Sequence, residues 1–321
     1  MRRAIALLLL LTLALIPSAT ALAPKSFTFT GSGYGHGVGL SQYGAKGQAL
    51  EGKSAIEIVK YYFPQTEVTP VVDTATISVN IAHKVTALSI VIPPTDSATV
   101  AIGNAVATSL PQNSPLNFAV SDRSIIGPGG IGQTWTIRWN NPQSVVSVNY
   151  GKTKFQVSHG YLRLKAVNAP GIGFRIEATN LLRLRDQYLY GIAEVPSSWP
   201  AAALEAQVIA SRTYAYAKSF KVRTACDCHL YGSISDQTFA GYSKESEARF
   251  GELWKAAVNR TVGSIITYAG APITAYFTSS SGGVTETSEH AWGTVTPYTV
   301  SVSDSASVDA ALNPRFATWS R

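Results

Sequence analysis

From residue 74 to about 184 apolar and polar positions alternate in short runs, at 75–81, 85–92, 135–139, 145–150 and 161–167, separated by clusters of Pro, Gly and Asn. Strand side chains point to opposite faces with a period of two, so this stretch predicts a series of antiparallel strands. Beyond 185 the period changes. Good helix formers run from Ala201 to about Lys218 behind Pro200, whose missing N–H suits a first helical turn. Leu204, Val208, Ser211 and Ala215 fall on one stripe of that helix, and alanines on its other sides imply close packing. A second helix is expected over 245–259, and a hairpin joins 264–268 to 272–277. Nearer the start, 26–30 alternates like a short strand, and 53–63 has a helical pattern stopped by Pro64. Helices packed on antiparallel sheet, with a β-rich middle region, make the expected class α+β.

Ahead of these elements, Met1-Arg-Arg precedes an apolar run over 4–16 and then Ala19-Thr-Ala21. Basic, hydrophobic and small-residue regions in that order describe a secretory signal peptide, 1–21, and an exported protein. No later stretch is apolar enough to span a bilayer. The expected organisation is then an N-terminal module over 24–69, a β-rich accessory region over 70–184 and a mixed core over 185–321. A composition of 45% hydrophobic and 14% charged residues is that of a folded chain. Removing Arg2 and Arg3 lowers the formal charge from +7 to about +5, still enough to favour anionic wall polymers or membrane surfaces. The basic residues are scattered and no nucleic-acid-binding signature is present, so nucleic acid is not an expected partner.

The chemistry concentrates in Tyr190-Gly-Ile-Ala-Glu-Val-Pro-Ser-Ser-Trp-Pro200, which sets Glu194 at the mouth of the alanine-rich helix. Apolar neighbours such as Val195, Trp199 and Tyr190 would disfavour its charged form and leave an acid able to give up a proton near neutrality. Gln207, Arg212 and Tyr214 are polar residues on a helix that otherwise looks buried, and buried polar groups need partners. In a purely structural reading Arg212 pairs with Glu205 and Glu194 decorates a turn. Neither a Gly-x-Ser-x-Gly elbow nor a phosphate-binding glycine loop occurs, which sets aside serine-hydrolase and nucleotide-binding functions.

The segment 188–200, followed by Ala206-Gln-Val-Ile-Ala-Ser-Arg-Thr-Tyr-Ala215, resembles the SpoIID/LytB family of sporulation and cell-wall proteins. Further blocks agree in order: 255–268, then 270–285 with Ser279-Ser-Ser-Gly-Gly283, then Trp292, Pro297-Tyr298 and 302–304. The resemblance covers about 180–310 closely, and it reaches the N-terminus through Gly33-Tyr-Gly-His-Gly-Val-Gly-Leu-Ser-Gln-Tyr-Gly-Ala45. In relatives the Gly-His-Gly block follows the core; here it precedes it, a permuted arrangement. The resemblance implies a peptidoglycan lytic transglycosylase with Glu194 as its catalytic acid and base. Substrate would be bound by Arg212, Gln207, Tyr276, Ser279, Ser280, Ser281, Gly282, Gly283, His36 and Gln42. It equally implies a second role, a non-catalytic enhancer of a cell-wall amidase that binds peptidoglycan. A lone histidine in a glycine turn is also compatible with a structural role for His36.

Cys226 and Cys228 lie close together in Ala225-Cys-Asp-Cys-His-Leu230. In an oxidising compartment such a pair invites a disulfide. The alternative is zinc held by Cys226, Cys228 and His229, although four ligands are normal and no fourth is adjacent. No other cofactor is expected.

Overall fold

A computed structural model describes residues 25–110 and 115–321; the expected signal peptide lies outside them. Among the described residues, the alternating middle stretch forms two antiparallel sheets packed face to face. One runs, in spatial order, through Thr76–Val85, Gly173–Arg183, Tyr161–Ala169, Thr134–Trp139, Ala98–Ile102 and Thr108–Leu110, with the short strand Leu230–Tyr231 added in parallel at the Thr76–Val85 edge. The other contains Gly130–Gly132, Ser124–Gly127, Leu116–Ser121, Ala87–Val91, Val146–Tyr150 and Thr153–Val157. Their inner faces meet through Val100, Trp135, Ile137, Leu162 and Leu164 on one side and Leu88, Ile90, Phe118, Val146 and Val148 on the other. Trp135 satisfies its buried indole N–H on the Ile125 carbonyl at 3.1 Å.

The same core continues without a break into Leu189, Ile192, Leu204, Val208 and Trp254. Gly173–Arg183, the longest strand of the first sheet, hands the chain through a π turn at Leu184–Tyr188 to the Glu194 segment, so the sandwich fixes where that segment starts.

The helix Ala201–Lys218 forms as expected, with Pro200 at its N-cap. Leu204, Val208 and Ala215 face the first core, while Ala206, Ile209 and Ala210 face a second core made by Leu40, Ile58, Val59, Phe63, Ile266 and Ile273. A helix apolar on opposite sides has to be enclosed, and this one is. The helix Ala55–Tyr62 that covers it is started by a reciprocal capping box between Ser54 and Glu57.

Three expected elements differ. The 26–30 strand shrinks to Thr30–Gly31, which pairs with Trp319–Ser320 near the C-terminus. The 245–259 helix is broken into Tyr242–Glu245 and Gly251–Arg260, and Gly251 allows the close turn between them, since a Cβ there would lie 2.1 Å from the Glu245 carbonyl. The break turns buried Lys244 toward the Val195 carbonyl, to which its Nζ donates at 2.8 Å. The hairpin holds only between Ser264–Tyr268 and Ala271–Pro272; after Ile273 the chain leaves it, and Phe277–Thr278 pairs in parallel with Leu40–Ser41. The glycine block thus lies beside the C-terminal segments.

Candidate functional site

Glu194 is held by a short ladder rather than by its neighbours in sequence. Ile192 bridges Phe239, the Ala193 N–H donates to the Thr238 carbonyl at 2.8 Å, and the Thr238 N–H donates to Glu194 Oε1 at 2.5 Å. Gly191 is needed beneath it, since a Cβ there would sit 2.3 Å from the Phe239 ring. From behind, Lys244 Nζ grips the Val195 carbonyl, Ser197 Oγ donates to Glu247, and Trp254 Nε1 donates to the Leu189 carbonyl. Burial raises the Glu194 carboxyl above the ordinary glutamate value, and the Thr238 bonds only partly oppose it. The phenol of Tyr188 is pushed up by burial and then by the nearby Glu194 charge.

A cleft of about 710 Å³ opens over Glu194, lined also by His36, Gln42, Tyr276, Ser279, Tyr34, Tyr214, Ile234, Asp236, Thr238 and Trp292. Two distant parts of the chain therefore meet at one acid. The glycine block can lie this close because it lacks side chains. A Cβ on Gly35 would fall 2.3 Å from Thr278 Oγ1 and one on Gly39 2.2 Å from the Tyr276 carbonyl, and both glycines have positive φ, 112° and 77°. His36 is fixed as one tautomer: its Nδ1 accepts from the Val38 N–H at 3.0 Å, leaving Nε2 to carry the proton and donate. Burial lowers its pKa, so the ring is neutral near pH 7. Trp292 and Tyr276 pack edge-on against the ring at 5.2 and 6.1 Å. Gln42 opens the helix Gln42–Leu50, whose N-cap is Ser41.

Trp199 and Tyr190, expected as apolar walls for Glu194, are elsewhere. Trp199 packs on Tyr43, and Tyr190 bonds Asn259 on another face. Ala193, Thr238 and Tyr214 take their place along the cleft.

Other expected site residues do not reach the cleft. Arg212 is fully buried and pairs with buried Asp73 at 3.0 Å, while its Nη atoms donate to Thr261 Oγ1 and the Val258 carbonyl. Burial pulls its pKa down to about 10, against the pull of Asp73, so it stays charged and faces protein rather than sugar. Glu205 pairs instead with Arg260. Gln207 is buried and donates to Ser211 Oγ. Of the 279–283 turn only Ser279 lines the cleft. Ser280 Oγ donates to the Ser307 carbonyl and Ser281 Oγ to Asp304, because both point into the C-terminal segment; Gly282 lies against Ser32, and Gly283 donates its N–H to Ser307 Oγ.

Nothing local in the sequence marks Asp236 or Thr238 as site residues, whereas Tyr214 and Trp292 stand inside the blocks that resemble the family. Asp236 is a second carboxylate in the cleft, but its acceptor positions are occupied. Oδ1 accepts from Tyr214 at 2.8 Å and Arg223 Nη2 at 2.7 Å; Oδ2 accepts from Arg223 Nη1 at 2.7 Å and the Tyr231 N–H at 2.9 Å. The Tyr214 phenol is held well above its ordinary pKa by burial and by Asp236.

Cys226 and Cys228 are joined in a disulfide. His229 Nδ1 accepts from the Ser78 N–H at 2.9 Å, so these three residues do not make a zinc ligand set. Among the described residues no cluster of three or more His, Cys, Asp and Glu side chains is arranged to hold a metal, and no helix is long and apolar enough to cross a membrane.

Residues 174–268 match the family model described as Stage II sporulation protein, SpoIID. That segment is similar to the SpoIID family. It begins in the strand leading to Glu194 and ends with Ser264–Tyr268, so it contains Glu194, Tyr214, Asp236 and Thr238 but not His36 or Trp292. An amidase enhancer of Bacillus subtilis (strain 168) is 36% identical over 111 residues, 35% of this chain and 14% of that protein. Stage II sporulation protein D of the same organism is 32% identical over 130 residues, 36% of this chain and 37% of that protein; its counterpart in Bacillus amyloliquefaciens is 31% identical over the same length. The match thus spans well under two thirds of each of these relatives.

Proposed function

We propose that the protein acts outside the cell on peptidoglycan as a lytic transglycosylase, cleaving the β-1,4 bond between N-acetylmuramic acid and N-acetylglucosamine. The observation that carries the reading is one usable acid in an aromatic-lined cleft: Glu194 is buried with a raised pKa, and Asp236 is saturated by four donors. Glycosidases that use water take a second free carboxylate as nucleophile or base, and among the described residues the cleft offers beside Glu194 only Asp236, whose acceptor positions are occupied. A transglycosylase manages with one. Protonated Glu194 gives its proton to the leaving glycosidic oxygen as the bond from the muramic acid C1 breaks. The C6 hydroxyl of the same sugar then forms the new bond to C1 and returns its proton to Glu194, closing a 1,6-anhydro ring without consuming water. His36, neutral and donating from Nε2, holds a sugar oxygen. Tyr276 and Trp292 offer apolar ring faces.

Purified protein incubated with peptide-bearing and peptide-free wall glycan should release anhydro-ended fragments, detected by mass spectrometry, and Glu194→Gln should not. A wild type no more active than that variant sinks the catalytic reading. The similarity to an amidase enhancer favours a second one, in which the protein binds wall glycan and stimulates an amidase. That role tolerates the loss of Glu194, so an undiminished rise in amidase rate with Glu194→Gln selects it.

A further inference from the structure

Beside the Glu194 cleft lies another pocket of about 450 Å³, lined among others by Asn80, His83, Tyr150, Tyr231, Ser233 and Ser235. The two cavities are divided by one loop. Tyr231, Gly232 and Ser233 form the wall on the far side, Ile234 and Asp236 form it on the Glu194 side, and Ser235 borders both. Asp236 braces this divider, accepting from the Tyr231 N–H and pairing with Arg223 through both oxygens. At its crest Ile234 is 97% exposed, an aliphatic side chain kept in water on a loop that is otherwise firmly anchored.

The far pocket contains polar machinery that the Glu194 chemistry leaves unused. The Glu177 side chain is 1% exposed, and its carboxylate accepts from Asn80 Nδ2 at 2.7 Å, from the Lys84 N–H at 3.2 Å and from His83 Nδ1 at 2.8 Å. Burying a carboxylate is costly unless it is well bonded. Here it directs a histidine that remains 38% exposed at the pocket wall. With Nδ1–H committed to Glu177, the imidazole form of His83 keeps Nε2 as an acceptor for a ligand O–H or N–H. Tyr231 packs edge-on against the ring at 5.0 Å and is itself covered by the Arg223 guanidinium, 5.5 Å from its centroid, so the ring is braced from the side as well.

We propose that this pocket is a second saccharide subsite, in which the glycan strand that occupies the Glu194 cleft continues over Ile234 and donates a sugar hydroxyl or acetamido N–H to His83. The subsite rests on the peptidoglycan reading above. Glu177 acts as a positioning residue that orients His83. Ile234 supports the apolar face of the sugar crossing the divider.

Binding can be measured without turnover by calorimetry, using Glu194→Gln and peptide-free muramyl-glucosaminyl oligomers of two and six sugars. One or two hydrogen bonds and an apolar contact should make the six-sugar ligand about tenfold tighter than the two-sugar ligand. That ratio should collapse toward one when His83→Ala or Ile234→Ser is added; Ile234 is exposed enough for the fold to survive, so it carries the test if loss of the Glu177 partner destabilises His83→Ala. A ratio near one in Glu194→Gln itself, or one that neither added change lowers, overturns the subsite. Length dependence that emerges only with peptide-bearing oligomers also overturns it, in favour of a peptide contact. If neither oligomer binds at all, the peptidoglycan reading falls, an outcome distinct from failure of the subsite alone.

Discussion

The main-chain N–H of Thr238 donates to Oε1 of Glu194, tying the acid to a residue far along the chain while the rest of its carboxyl is desolvated. Burial wins over this bond, and the glutamate pKa is raised. Folding therefore favours the neutral acid: the stability it lends is complete below the ordinary glutamate value and is lost as pH climbs through the raised one. Glu194→Gln keeps an acceptor for Thr238 and does not titrate. Its melting temperature should exceed that of wild type at pH 7 to 8, and the difference should shrink toward pH 4. Glycan cleavage by the variant should fall by about a hundred- to ten-thousand-fold. A difference in melting temperature that is flat across pH would show that Glu194 is solvated.

Arg212 is expected to be structural. Arg212→Met leaves Asp73 buried without its fully buried partner, although Arg185 still reaches Asp73 Oδ1 at 2.8 Å, and should cost about 3 to 5 kcal/mol in urea unfolding. Protein that remains folded should bind glycan as wild type does. A raised KM with unchanged stability would place the guanidinium on substrate after all.

Gly39 tests whether the glycine block must hug the 276–278 segment. Gly39→Ala puts a methyl 2.2 Å from the Tyr276 carbonyl at a φ of 77°, so both contact and backbone oppose it. Stability should drop by about 1 to 3 kcal/mol, and His36 should shift with it, lowering glycan affinity. Gly52→Ala is the control: its φ is also positive, 90°, but no atom lies within 4 Å of the added Cβ, so strain occurs there without the clash.

The parts legible in the sequence are those whose cause is local. The helix Ala201–Lys218 announces itself by propensity and by a repeating stripe, and the capping box at Ser54 and Glu57 lies within one turn. Glu194 was legible through its flanking Pro and Trp, by family resemblance rather than by chemistry. The strand Gly173–Arg183 was not picked out, because it is buried over most of its length and carries Glu177, Thr179 and Asn180 inside, which breaks any alternation. Nothing nearby in sequence announces Asp73, the partner that keeps Arg212 out of the cleft. Asp236 was missed for the same reason: its partners, Tyr214, Arg223 and Tyr231, are gathered only by the fold.

The Cys226–Cys228 bond should matter more to catalysis than to stability. It closes a loop with one residue inside, and so short a loop removes little freedom from the unfolded chain. In the folded protein, however, the loop is a clamp. The Arg223 N–H donates to the Cys228 carbonyl at 2.7 Å, and the intervening Asp227 holds Arg163 and Lys165. Arg223 in turn grips Asp236 on the loop that forms one wall of the cleft. Reduction, or Cys226→Ser with Cys228→Ser, should shift the melting temperature by only a few degrees, equivalent to about 1 kcal/mol or less. Glycan cleavage should fall several-fold as Tyr214 and Thr238 lose their support. Arg223→Ala should reproduce the loss of rate with the disulfide intact, which separates the clamp from any effect of free thiols. Full activity in the reduced protein would show that Arg223 holds Asp236 without help from the cysteine loop.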